Sequence, residues 1–347
     1  NCNFALQELR NMQQLKGILL VNLGTPDSPQ VPDVRKYLKE FLLDERVIDI
    51  PAISRHLLVR GIIAPFRAPK SAKSYKHIWT AEGSPLMVYS VRQQEKLQAA
   101  LGEEYVVELA MRYQTPSIEK GLMALMEKRV NEIIVVPLFP QYTSATNGSI
   151  IQKVMEIVAK WQAIPSIRFT GDFHAHPLFI KAFSEIGKKH NPETYDHVLF
   201  SYHGLPERQI LKTVEGNNCL TTNCCDTLHN RNCFCYRAQC FNTTRLIAEQ
   251  LQLKPENYTV CFQSRLGKTP WIKPYSTVVI EELAKKGVKR ILMYSPAFVA
   301  DCLETVFEIG VEYHEDFQKM GGEKIQLVES LNEHPLFIEC LIDMIKN

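Results

Sequence analysis

The sequence has no apolar run near the roughly 18 residues that a membrane-spanning helix requires. Its longest, around Ile133–Phe139, suits a buried strand instead. It also has no excess of one charge: 40 Lys and Arg stand against 38 Asp and Glu, a net charge of +2. Without a global basic field there is no electrostatic case for nucleic-acid binding. The first ten residues, Asn1 to Arg10, lack the charged, apolar and small-residue zones of a signal peptide. No initiator Met stands at their head, so a processed or trimmed chain is expected. Nothing here points to secretion, and the expected location is the cytoplasm. In a reducing compartment clustered cysteines serve metals rather than disulfides. At 347 residues, 45% of them hydrophobic, the chain can bury one large α/β domain or two smaller ones.

What is present is an alternation of strand-like and helix-like segments. Lys16–Leu23 is a short apolar run ending in Gly24-Thr25-Pro26. Val106–Arg112, Ile133–Pro140 and Ile167–Phe173 read as further strands, with helical spacing in Glu119–Arg129 and Gly148–Trp161. The second half repeats the order: strands at His197–Tyr202, Tyr258–Ser264 and Arg290–Tyr294, helical spacing at Glu281–Lys286, and a closing helix at Leu336–Ile345. Gly24 and Gly204 correspond at an offset of 180, Arg112 and Arg265 at 153, Pro137 and Pro296 at 159. This predicts two α/β lobes of similar topology with parallel sheets, spanning 15–180 and 190–330, closed by a helix over 331–347. Ligands of such sheets sit at the carboxyl ends of the strands.

Two constellations carry chemistry. His203 ends the run Leu199-Phe-Ser-Tyr-His203 and precedes Gly204, which puts an imidazole at a strand end facing a cleft. Its ordinary pKa, about 6.5, suits proton transfer near neutrality. Beyond Ser295-Pro296, Glu304, Glu308 and Glu312 recur every four residues on one helical face. That spacing is read either as a solvated acidic stripe or as a row of oxygen ligands and proton acceptors leading a cation inward. Asp301 and Cys302, at the turn before the row, favour the second reading.

Phe200-Ser-Tyr-His-Gly-Leu-Pro206 together with Asp301-Cys-Leu-Glu-Thr305 resembles ferrochelatase, the enzyme that inserts ferrous iron into a porphyrin to make haem. Leu23-Gly-Thr-Pro26, Gly83-Ser-Pro85, Met111-Arg-Tyr113, Pro140-Gln-Tyr-Thr-Ser144, Gln263-Ser-Arg265, Pro270-Trp271 and Glu329-Ser-Leu-Asn332 extend the resemblance, in the family's order, from about Lys16 to the end of the chain. It implies the chelatase fold, two Rossmann-like lobes with the porphyrin in the cleft, and a lyase with Fe²⁺ and protoporphyrin IX as substrates. It implies His203 as the active-site histidine that accepts a pyrrole proton or holds the metal. Glu304 is implied as its carboxylate partner across the ring, and Glu308 as the next acid on a metal or proton path. Leu23, Tyr113, Trp271 and Phe298 are implied as pocket walls, and Arg67 as a cation for the propionates. Some members have His where this chain has Cys302, so no obligatory imidazole ligand stands there. A cobalt chelatase of the tetrapyrrole type is disfavoured by Glu304, Pro270-Trp271 and Ser330-Leu-Asn332. The other alternative is a haem or metal carrier without turnover.

Six of the ten cysteines fall between Cys219 and Cys240, spaced C-x4-C-C-x7-C-x-C-x4-C. Such tight thiolate spacing, with His229 the only imidazole nearby, fits an iron–sulfur cluster or a four-cysteine zinc site. The resemblance favours a [2Fe–2S] cluster in an insert of the C-terminal lobe, about 218–240. The insert begins after the turn at 215–217, and Tyr236 resumes the family's pattern. Cys233, Cys235 and Cys240 are the first choice of ligands, completed by Cys225 or Cys224, with Cys219 a further candidate. Cys2, Cys261 and Cys340 read as isolated or core thiols. Finally, Leu57–Arg67, followed by Lys70 and Lys73, mixes large apolar residues with cations. Composition alone suits a core helix with a solvated end. The resemblance implies lips around the pocket that rest peripherally on the inner face of a membrane.

Overall fold

Strands that are to be buried on both faces must be largely apolar, and the central strands of this chain meet that demand, while the edge segments Ser166–Phe169 and Lys324–Leu327 carry polar residues and are only partly buried. In the computed structural model, which describes residues 15–214, 219–220, 223–265, 267 and 269–347, the strands form two four-stranded sheets. The first contains β1 (Lys16–Asn22), β2 (Tyr105–Met111), β3 (Glu132–Pro137) and β4 (Ser166–Phe169) in the order β2-β1-β3-β4. The second contains β5 (His197–His203), β6 (Tyr258–Gln263), β7 (Arg290–Tyr294) and β8 (Lys324–Leu327) in the order β6-β5-β7-β8. Every pairing is parallel. The two sheets therefore share one topology, as the Gly24/Gly204 and Arg112/Arg265 correspondences imply. Cys2 and the turn at 215–217 lie outside the described residues.

The strand period of two sorts the side chains into layers. Ile18, Leu20, Leu109 and Val136 of the first sheet join Val198, Phe200, Phe262 and Leu292 of the second in one continuous core. The alternate residues face outer helices: Leu19, Val21 and Val135 pack in one cluster, and Leu199, Ile291 and Met293 in another. Helices cross between the halves. Pro177–Lys188 lies so close to β7 that a Cβ on Gly187 would fall 1.5 Å from the Tyr294 hydroxyl oxygen. The C-terminal helix Pro335–Lys346 packs instead toward the first half, where Arg168 at β4 donates to the carbonyls of Met344 and Ile345.

Three departures from the sequence pattern have local causes. The strand expected over Ile167–Phe173 stops at Phe169, after which Thr170-Gly171 turns the chain away from β3. β8 is too short, at four residues, to show a period. Glu304, Glu308 and Glu312 lie not on an α-helix but on an 11-residue π-helix, Leu303–Tyr313. Its i→i+5 bonding widens each turn, and wide turns of this kind concentrate at functional sites.

Candidate active site

The candidate cavity forms where the carboxyl end of β1 meets the π-helix. β1 runs out into Leu23-Gly24, and Gly24 has φ +115°, where a Cβ would sit 2.0 Å from the Tyr113 carbonyl oxygen. Only glycine fits that turn, so the chain behind it reaches the cleft edge. Leu23, Gly24, Thr25, Tyr75, Ile78, Phe139, Phe298, Cys302, Leu303 and Glu304 then enclose a small cavity of about 40 Å³. Tyr75 comes from the helical lip Ala52–Ile78, which packs on the π-helix through Val59, Ala68 and Ala72 against Leu303, Val306 and Phe307. A larger groove of about 420 Å³ lies past the end of β4, lined by Asp172, His174, His176 and Asp343. His203 lines neither space, but Glu304 lines the small cavity and not the groove, so the small cavity is the better candidate.

His203 is the last residue of β5 and half-buried. Its Nδ1 lies 2.7 Å from the Gly204 carbonyl oxygen, which can only accept, so Nδ1 carries the hydrogen and donates. That tautomer leaves the Nε2 lone pair as an acceptor. Two further contacts hold the ring's backbone and face. The Tyr236 hydroxyl donates to the His203 carbonyl at 2.9 Å. The Trp271 ring, almost fully buried, lies 6.5 Å away, centroid to centroid. Gly204 is needed here as well, since a Cβ would sit 2.7 Å from the Gln263 carbonyl oxygen.

Glu304 is placed by its neighbours rather than by its own bonds. The Asp301 carboxylate accepts from Thr305 Oγ1, from the Ser330 backbone N–H and from Asn332 Nδ2. It caps the turn before the π-helix and is therefore not directed at a metal path. Cys302 is buried, and burial first, then the Glu304 carboxylate, push its thiol well up. It stays an S–H beside Glu304 rather than a thiolate ligand. Tyr37 and Tyr75, also buried, are pushed up by burial and by the same carboxylate. Glu308 is half-buried and fully engaged with Gln263, Ser264 and Tyr313. Glu312, next along, is raised by burial and by the Glu308 charge, and Lys70 of the lip opposes that shift.

The structure thus brings Leu23, Phe298 and Glu304 to the cavity and His203 to Trp271. Tyr113 lies beneath the site: it is buried, its ring edge-on to Phe41, and its hydroxyl donates to Asp44 at 2.9 Å. Arg67 projects from the exposed side of the lip beside Phe66. Two residues prove central that are not among the site residues expected from the sequence: Asp44, which has no signal there, and Gln263, which enters only as part of the Gln263-Ser-Arg265 motif. Asp44 gathers Arg112, Tyr113 and Ser149 on one carboxylate oxygen. Gln263 bridges β5, β6 and the π-helix. Long-range partners of this kind, 69 and 45 residues away in Tyr113–Asp44 and Gln263–Glu308, leave no periodic trace.

Of the clustered cysteines, Cys225, Cys235 and Cys240 are buried in the central core, with Cys219 and Cys224 packed against it. Contacts run from Cys219 to Cys224, from Cys224 to Cys225 at 3.8 Å, and from Cys225 to Cys235. Of the expected trio, Cys235 and Cys240 are buried in the core, while the Cys233 thiol donates to the Asn230 carbonyl. Donation from the Cys225 thiol, with backbone N–H groups of Ala238 and Arg237, lowers the Cys235 pKa. Burial raises that of Cys219 to about 11. Among the described residues, no three His, Cys, Asp or Glu side chains close around a single metal position.

A family model described as Ferrochelatase matches residues 15–347. Similar proteins include the ferrochelatase of Legionella pneumophila (strain Corby), 48% identical over 326 residues, covering 94% of this chain and 97% of that one. The ferrochelatase of Coxiella burnetii (strain Dugway 5J108-111) is 44% identical over 332 residues, covering 95% and 93%. Among solved structures, SirB from Bacillus subtilis with Fe3+ aligns at TM-score 0.54 and 13% identity over 96% of this chain and 94% of that one. The sirohydrochlorin chelatase SirB of Bacillus subtilis subspecies spizizenii, in complex with cobalt, aligns at 0.56 and 12%, over 96% and 94%. At these identities the last two establish the fold, two lobes of the chelatase type.

Proposed function

This chain belongs to the ferrochelatase family, and we propose from that premise how its residues divide the work of inserting iron. The enzyme is a lyase that places Fe²⁺ in a porphyrin to form haem, releasing the two pyrrole protons. The ring shields its N–H groups from an incoming ion, so bending it and removing protons are the costly steps. His203 is the base. The observation that carries this is the Nδ1–H···O=C bond to Gly204, which leaves Nε2 as the ring nitrogen that takes up a proton when the imidazole is neutral. Glu304 is the carboxylate partner, receiving the metal or the second proton. Leu23, Trp271 and Phe298 are the apolar walls for the ring, and Tyr113 backs them through Phe41. The 40 Å³ cavity is far smaller than a porphyrin, so the lip Ala52–Ile78 must move outward to admit one.

An anaerobic assay with Fe²⁺ and protoporphyrin IX tests this directly. Haem should form catalytically. Stoichiometric binding without metallation would indicate a carrier, and preference for Co²⁺ and a reduced tetrapyrrole a different chelatase.

The cysteine segment suits a [2Fe–2S] cluster, and we assign Cys219, Cys224, Cys225 and Cys235 as its ligands. What supports the choice is pairwise contact of the sulfurs, a lowered Cys235 thiol at a helix N-terminus, and Arg237 donating to Cys225 Sγ at 2.9 Å; binding would draw the four thiols together around the cluster. Cys240 is buried with its thiol beside the Tyr236 side chain, and the Cys233 thiol donates to the Asn230 carbonyl. When bound, such a cluster supplies a one-electron redox centre, which non-redox iron insertion does not use. Its role is then to order the segment that carries Tyr236 to the His203 carbonyl. Cys235→Ser should abolish visible absorption bands that bleach on reduction and lower the melting temperature, whereas Cys233→Ser should retain both. Bands lost only in the Cys233 variant would overturn the ligand assignment.

The lip supports a peripheral membrane contact. Ile53, Leu57, Ile62 and Phe66 are each more than half exposed, interleaved with exposed Arg60, Arg67 and Lys70. Among the described residues no helix is long and apolar enough to cross a bilayer. The protein should therefore float with vesicles containing anionic lipid, and Phe66→Ser with Leu57→Ser should reduce this several-fold. Equal flotation of the two proteins would rule the lip out.

A further inference from the structure

A carboxylate has about four lone-pair positions to offer. In Glu308 all four are taken. Oε1 accepts from the Ser264 backbone N–H at 3.1 Å and from the Tyr313 hydroxyl at 2.8 Å. Oε2 accepts from Ser264 Oγ at 2.7 Å and from Gln263 Nε2 at 3.1 Å. Ser264 needs such an anchor, because its φ of +63° lies in the left-handed region. Tyr313 is buried, and its hydroxyl has no other hydrogen-bond partner among the described residues.

Gln263 extends the same network to both sides of the site. Its Nε2 also donates to the Glu304 carbonyl at 3.1 Å. Its Oε1 accepts from Ser201 Oγ on β5 at 2.7 Å, and its carbonyl accepts from the Gly204 N–H at 2.8 Å. In the sheet register Gln263 lies directly beside His203. One side chain is thus bonded to the strand that ends in His203 and to the helix turn that bears Glu304.

We propose that Glu308 is a positioning residue rather than a cation ligand: with Gln263 it clamps the π-helix to the end of β6 and thereby sets Glu304 relative to His203. To bind a cation, Glu308 would have to release donors, one of them the backbone N–H of a residue in a left-handed conformation. The row of acids is therefore not a uniform relay. Glu304 faces the cavity, Glu308 ties two elements together, and Glu312 lies near the lip opposite Lys70. The proposal rests on the assignment of His203 and Glu304 as the reacting pair.

The test compares Glu308→Gln and Tyr313→Phe with the parent protein under anaerobic conditions, varying Fe²⁺ and porphyrin separately. In Glu308→Gln the amide NH₂ meets donors on either side, so the clamp opens. The expected kcat falls about tenfold to a hundredfold, as for a misplaced catalytic group, while the KM for Fe²⁺ stays within about twofold of the parent. Tyr313→Phe removes one donor and keeps the ring, so kcat should fall about fivefold, the worth of one hydrogen bond, again without change in the iron KM. A ligand role predicts the reverse pattern. The iron KM would rise tenfold or more in Glu308→Gln at nearly unchanged kcat, and Tyr313→Phe, which frees a lone pair, would lower it. Either result, or parent kinetics in both variants, overturns the clamp.

A second readout does not depend on turnover. Amide hydrogen exchange at Ser264 should be slow in the parent and fast in Glu308→Gln, whether or not the protein metallates. Fast exchange in the parent would refute the clamp. Failure of the parent to form haem would instead refute the catalytic assignment while leaving the exchange result to stand by itself.

Discussion

Replacing His203 by Ala lowers the rate of iron insertion by about 10²–10⁴-fold, the usual effect of losing a positioned general base, and leaves porphyrin binding nearly unchanged. Binding survives because, in the proposed site, the apolar walls are Leu23 and Phe298 of the cavity and Trp271 beside His203, to which the imidazole adds little. Local structure survives because the segment is held by main chain: Gly204 N–H to Gln263 carbonyl, and Tyr236 hydroxyl to the His203 carbonyl. Porphyrin fluorescence titration reports binding and anaerobic haem formation reports rate. Near-parent turnover would take His203 out of the chemistry. A variant that binds no porphyrin would show instead that the ring site had collapsed.

Glu304→Gln is expected to cost on the order of a hundredfold in kcat, with porphyrin affinity retained. The amide is isosteric, but it can neither take a proton at neutral pH nor match a cation's charge. The effect should be larger than that of Glu308→Gln and of a different kind. The Glu304 carboxylate lines the cavity, whereas Glu308 acts through the backbone it holds. The change also withdraws the negative charge that, after burial, pushes up the buried Cys302 thiol and the Tyr37 and Tyr75 phenols. Activity within a few-fold of the parent would remove Glu304 from the reacting pair.

Much of this molecule is written locally. The apolar runs of β1, β3, β5 and β7 are short, bounded by Gly, Pro or Ser, and spaced for a parallel sheet with helical crossovers. The internal correspondences Gly24/Gly204 and Arg112/Arg265 reflect two sheets with one strand order. His203 at a strand end and Glu304 just after a proline-containing turn are legible for the same reason. A strand's carboxyl end is where parallel sheets present side chains to a cleft, and the residue types carry their own chemistry.

Other features are decided only when distant segments meet. The acids spaced four apart look alike in the sequence. Their surroundings diverge because Gln263, Ser264 and Tyr313 converge on Glu308 alone, and because the helix that bears them is wide rather than α. The cysteine spacing suggests Cys233 with Cys235 and Cys240 as neighbours. In the folded chain Cys233 turns to the Asn230 carbonyl, while Cys219, 16 residues before Cys235, comes within reach of the others. The segment reads as an insert, yet Cys225, Cys235 and Tyr236 share the central core with β5. Sequence periodicity reports which face of an element is apolar. It carries no information on which polar groups, tens of residues apart, satisfy one another once water is excluded, and each buried donor and acceptor must find a partner in the tertiary structure. That requirement, rather than any local pattern, places Asp44 under Tyr113 and Gln263 between His203 and Glu304.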